Sequence, residues 1–130
     1  METLAFLRRI LPATGLYIVA RLVGKAWRHQ VCDSLEEAAQ YVLAFDAQGV
    51  PTYHACAAYR ERSVEKEKPD GTIWHQIRTQ GNVRALRSFW MDLDVKPGVA
   101  TAFATQEEAI DRLVLFCRGC KGSDEMLVLE

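Results

Sequence analysis

Asp92 and Asp94 stand two residues apart in the run Ser88-Phe-Trp-Met-Asp-Leu-Asp-Val95. As a β-strand this run puts Phe89, Met91, Leu93 and Val95 on one face and Trp90, Asp92 and Asp94 on the other. Two ionised carboxylates in an apolar strand repel each other and lose solvation, so a cation or a wet cleft must compensate. Mg2+ or Mn2+ suits the pair, because both ions take carboxylate oxygens and keep positions open for phosphate. The expectation is that both acids lie side by side on a buried strand and act as metal-binding, catalytic residues. The same spacing equally suits a solvent-facing strand end, with Asp94 capping the turn at Lys96-Pro97.

Other chemistry-bearing residues are more scattered. Arg78, Arg84 and Arg87 precede the acidic run and are suited to forked contacts with phosphate or carboxylate. Surface solvation is the better reading for Arg84, whereas Arg78 and Arg87 are candidates for binding nucleotide phosphate. His29, His54 and His75 lack metal-site spacing, so ordinary packing or surface roles are favoured for them, and Cys117-Arg-Gly-Cys120 is only half of a zinc motif, so Cys117 is read as core. Trp27, Trp74 and Trp90, with Tyr17 and Tyr53, offer ring surfaces for bases, a lesser reading than core packing.

The elements that must hold these groups follow from local signals. Glu2 to Ile10 suits a short helix ended by Pro12 and Gly15. Leu16 to Val23 is a β-branched, apolar strand closed by Gly24. Ser34 and Glu37 form a capping box for a helix that runs to Gly49, and Thr105 with Glu108 opens another through Phe116. Thr52 to Tyr59 reads as a second strand, Ser88 to Val95 as a third and Met126 to Leu129 as a fourth, with a helical turn around Asn82 to Leu86. The polar stretch 61–72 is expected to be a mobile excursion with a turn at its end. The resulting order, β-α-β-β-α-β after a short N-terminal helix, indicates an α+β fold. It suits a split βαβ, ferredoxin-like or RRM-like sheet with helices packed on one side.

At 130 residues and 49% hydrophobic, the chain suits one globular domain, 1–130. Charge is balanced at 16 basic and 17 acidic residues, which gives no overall pull on a polyanion. Residues 1–31 nevertheless carry Arg8, Arg9, Arg21, Lys25 and Arg28 against Glu2 alone. No apolar stretch near the start is long enough for a membrane span or secretory core, so no membrane partner and a cytoplasmic location are expected. Cys32, Cys56, Cys117 and Cys120 then read as free thiols.

The run Arg78-Thr-Gln-Gly-Asn-Val-Arg-Ala-Leu-Arg-Ser-Phe-Trp-Met-Asp-Leu-Asp-Val-Lys-Pro-Gly98 resembles the N-terminal region of phage and plasmid primase-polymerases of the archaeo-eukaryotic primase superfamily. Phe103-Ala-Thr-Gln-Glu-Glu-Ala-Ile110 and Phe116-Cys117 extend the resemblance, as do Gly15-Leu-Tyr17, Lys25-Ala-Trp-Arg-His29, Ser34-Leu-Glu-Glu-Ala38 and Tyr53-His-Ala-Cys-Ala-Ala-Tyr-Arg60. It implies that Asp92 and Asp94 are the first metal-binding motif of a nucleotidyltransferase, with a nucleotide and a DNA or RNA template as partners. The family continues past a strand like Met126-Leu-Val-Leu129 into a Ser/Gly-rich turn, a nucleotide-contacting His and a further acid, which this sequence lacks. The chain alone is therefore expected to be inactive, either as the N-terminal module of a longer primase-polymerase or as a short relative. The alternative is a non-catalytic phage-type protein that reuses the fold to bind a host protein or nucleic acid.

Overall fold

The computed structural model describes residues 2–119, which fall into two compact units that part between Phe89 and Trp90. The architecture is α+β. In the first unit, helix α1 (Thr3–Ile10) places Arg8 and Arg9 in its last turn, where the carbonyl end of the helix favours cations. Leu7 and Ile10 are its buried residues, and the chain turns extended at Leu11, before Pro12.

Strand β1 (Tyr17–Val23) is the centre of a three-stranded antiparallel sheet, between β2 (Ala26–Cys32) and β3 (Thr52–His54). Its first four residues, Tyr17, Ile18, Val19 and Ala20, are all buried, as an uninterrupted apolar run requires. Helix α2 (Leu35–Ala47) packs on one face, where Arg21 lies over the ring of Phe45 at 4.5 Å. The capping box forms as the spacing indicates. Ser34 Oγ accepts from the Glu37 N–H at 3.1 Å, and the Glu37 carboxylate reaches back to the Asp33 N–H at 2.7 Å.

Strand β2 is an element that the sequence reading passes over. It pairs with β1 from Val23–Ala26 to Tyr17–Cys32, so Gly24 and Lys25 form a two-residue hairpin loop. Gly24 has φ +62° and Lys25 has an ordinary negative φ, the pattern of a loop with glycine at the first central position. Gly24 turns the chain back instead of ending the sheet.

The strand expected over Thr52 to Tyr59 is interrupted at Ala55–Ala57 and resumes as β4 (Ala58–Tyr59), which pairs with β7 (Val83–Ala85). The interruption turns Ala55, Ala57 and Tyr59 into a buried cluster with Ile18, against which Leu16, Ile77 and Val83 pack. Gly15 enters this region with φ +129°, and a Cβ there would meet the Ala58 Cβ at 2.7 Å, so both conformation and space require glycine.

In the polar segment 61–72 the turn falls at Lys68–Thr72, where Asp70 Oδ1 accepts the Thr72 N–H at 2.9 Å. On either side of it β5 (Val64–Glu67) and β6 (Ile73–Gln76) pair as a hairpin. The helical turn expected around Asn82–Leu86 is a 3₁₀ turn at Gln80–Asn82 that leads directly into β7.

Asn82 is the buried polar side chain among the described residues. Its Oδ1 accepts the Glu61 N–H at 2.9 Å, and its Nδ2 donates to Glu61 O at 2.8 Å and Ile77 O at 2.9 Å.

The second unit corrects the sequence reading. Phe89 to Asp94 form no strand, and only Val95 joins a bridge, with Phe103. The alternation is present in the sequence, but among the described residues no second strand pairs with this run, and alternation alone supplies no ladder. Helix α3 (Gln106–Arg118) follows, with Thr105 Oγ accepting from the Glu108 N–H at 3.2 Å. Ala109 and Cys117 are its buried residues. The strand expected at Met126–Leu129 and the thiol of Cys120 lie outside the described residues.

Replacing Asn82 with alanine strands buried carbonyl and amide groups, so Asn82→Ala is expected to cost about 2–3 kcal/mol. Urea unfolding measures it, and a loss below about 0.5 kcal/mol, the scale of ordinary surface changes, would show that the amide clamp is idle.

Candidate functional site

Asp92 and Asp94 are both exposed, not buried as the strand reading requires. They sit on chain without regular secondary structure, and at its far end the Phe103 N–H donates to Asp94 O at 2.8 Å and the Lys96 N–H to Phe103 O at 2.9 Å. Two turns follow, Lys96 to Val99 and Val99 to Ala102, and Gly98 takes φ +79° in the first. Asp94 Oδ2 accepts from Lys96 Nζ at 2.8 Å. This matches the solvent-facing alternative, with Lys96 as the cation beside the acid. Exposed pairs of this kind contribute roughly 0–1 kcal/mol, so an ion that competes for Asp94 meets little resistance.

The donor set fits a hard divalent ion in type and falls short in number. Two carboxylates supply oxygen ligands of the kind Mg2+ and Mn2+ prefer. Among the described residues no three His, Cys, Asp or Glu side chains gather to hold a metal. Water and phosphate oxygens would have to complete the shell.

The arginines expected to bind phosphate belong to the first unit and line two different cavities. Arg87 borders a cavity of about 550 Å³ together with Arg8, Gly15, Tyr17, Asp33 and Glu36. Its charges are largely spent internally. Arg8 pairs with Glu36 at 2.5 Å, Arg62 pairs with Asp33, and Arg87 Nη1 donates to the Arg8 carbonyl at 2.6 Å. The bond from Arg8 holds the Glu36 carboxyl below the usual carboxylate range. Ser88 Oγ, next in the chain to Arg87, donates to Ile10 O at 2.9 Å, so both residues tie the segment to the end of α1.

Arg78 borders a smaller cavity of about 310 Å³ with Ile18, Ala20, Trp27, Tyr53 and Ala55. Trp27 and Tyr53 meet edge to face, with ring centres 5.0 Å apart. His29 lies near enough to feel Arg78, and burial first, then that charge, push its pKa down. Sequence reasoning singled out Arg78 for phosphate and named Trp27 and Tyr53 among possible ring surfaces, but it did not group them, because the three come from separate segments that only the fold brings together.

Among the described residues no thiol lines either cavity. Cys32, Cys56 and Cys117 are free thiols, and burial pushes Cys32 up to about 11, so it stays protonated at neutral pH. No helix among the described residues is long and apolar enough to cross a membrane.

Compared with protein-family models, curated proteins and solved structures, the chain matches none.

The proximity of Arg78 and His29 is open to direct measurement. Arg78→Ala removes one of the two causes that depress His29, so its midpoint is expected to rise while partial desolvation still holds it below its ordinary value. An NMR titration of the histidine ring protons reads the shift. An unchanged midpoint would place Arg78 too far away to matter.

Proposed function

We propose that this chain carries the first metal-binding element, Asp92 and Asp94, of a nucleotidyl-transfer site of the primase-polymerase type, and lacks the later His and acidic elements that would complete it. The observation that carries this reading is an accessible pair of carboxylates two residues apart, one of them paired with the exposed ammonium group of Lys96. They stand within the stretch Arg78–Gly98 that bears the family resemblance.

In such a site a bound divalent ion supplies charge neutralisation for an in-line displacement at phosphorus. The part played by this chain is narrower. Asp92 and Asp94 would hold the ion, and Lys96 would compete with it for Asp94. Nucleotide, and a DNA or RNA template, would be the partners of the completed enzyme. The split βαβ arrangement belongs to the same proposal.

A second reading is favoured by one observation. Phe89 is 94% exposed, and in the second unit Met91 is 54% exposed, large apolar side chains left to solvent of the kind found where a protein meets another macromolecule. On this reading the chain is a non-catalytic interaction module for a host protein or nucleic acid, and the acids are incidental.

Calorimetry with Mn2+ on the whole chain separates the two. The first reading expects heat of binding that disappears in the Asp92→Asn, Asp94→Asn double variant. It also expects up to about fivefold tighter binding in Lys96→Ala, since removing an exposed pair releases at most about 1 kcal/mol. Mn2+ binding that survives the double substitution sinks the proposal and leaves the interaction module standing.

A further inference from the structure

The three-stranded sheet has one face that α2 does not cover. Arg21 points to α2, so its neighbours Ile18, Ala20 and Leu22 point the other way. Pairing sets Val31, His29 and Trp27 beside them on β2, and Tyr53 opposite Ala20 on β3. The end of this face at Ile18 is closed by Ala55, Ala57 and Tyr59. The other end is open, with Trp27 at 47% and Tyr53 at 54% exposure.

Four features of the open end point to one class of ligand. The two aromatic side chains form a contiguous apolar surface that solvent reaches. Ala20 is small and lies between their strands, so the floor is low and the cavity of about 310 Å³ remains. Arg78 lines that cavity, is exposed and forms no ion pair among the described residues. No Asp or Glu lines it. A flat ring with an anionic group attached answers all four, the ring by stacking and the anion by the guanidinium.

We infer that Trp27, Tyr53, Ala20 and Arg78 form a stacking site for a base of a single-stranded nucleic acid, with Arg78 taking the adjoining phosphate. A single strand is required because a base in a duplex hides its flat face in the helical stack. A protein partner fits less well, because a stable interface buries on the order of 1,200 Å² or more, far beyond what two rings on a basic rim provide. The inference does not use Asp92, Asp94 or a metal ion, and so stands apart from the proposed metal site.

Fluorescence anisotropy of a labelled oligothymidine of about a dozen nucleotides, titrated with the whole chain in EDTA, tests it. Binding is expected to weaken about tenfold in Trp27→Ala and in Tyr53→Ala, and to be largely kept in Trp27→Phe. Arg78→Gln is expected to lower the salt slope by about one, the signature of a single lost phosphate contact. Trp74→Ala, on the outer hairpin, should leave binding unchanged, and thermal melts confirm that each variant is folded.

Equal affinity for a duplex of the same sequence overturns the inference, as does wild-type affinity in both alanine variants. So does absence of binding accompanied by self-association that Trp27→Ala abolishes, since a second copy would then be the occupant. With EDTA present the metal reading plays no part. A chain that ignores Mn2+ yet holds the oligonucleotide refutes that reading and upholds this one.

Discussion

The Asn82 carboxamide makes the bonds that the backbone at the root of the outer hairpin cannot make for itself. A buried amide is tolerated only when its donors and acceptor are filled, and here both bonds of Nδ2 and the one at Oδ1 go to main-chain groups. The Asn82 carbonyl in turn accepts the Arg60 N–H at 2.9 Å. The chain entering β5 and the chain leaving β6 are therefore fixed to the same residue, which itself opens β7. Ile77, half-buried, packs against the cluster of Ile18, Ala55, Ala57 and Tyr59, and Arg78, next along, lines the sheet cavity.

Strand β1 divides the first unit into a structural and an open side. Its apolar start is buried on both faces, by α2 and by the small cluster around Ala57, which is where burial contributes roughly 1.5–3 kcal/mol for each large side chain. Toward Val23 the cover ends, and β2 and β3 present Trp27 and Tyr53 instead. One strand thus anchors the fold at one end and displays side chains at the other.

Legibility in the sequence followed the range of the interactions. Helices α1, α2 and α3 were readable because capping boxes, apolar periodicity and terminal Pro or Gly are encoded within a few residues of one another. Strand β1 was readable from its composition. Strand β2 was hidden because Arg28, His29 and Gln30 give it the polarity of an exposed edge, although Gly24-Lys25 was a hairpin signal available to be read. Ser88–Val95 shows the opposite failure, with alternation written in the sequence and no ladder among the described residues. The neighbours of Arg78, and the role of Asn82, depend on contacts between distant segments, which no local pattern announces.

The exposed run from Phe89 has a bearing on how the molecule behaves in concentrated solution. Phe89, Trp90 and Met91 together form a short, aromatic, β-prone window open to solvent, the composition that seeds intermolecular strand pairing. Asp92 and Asp94 follow at once, and in a stack of aligned copies their charges would fall on top of one another. Charges so placed oppose the alignment of neighbouring molecules, as gatekeeper residues beside apolar windows do.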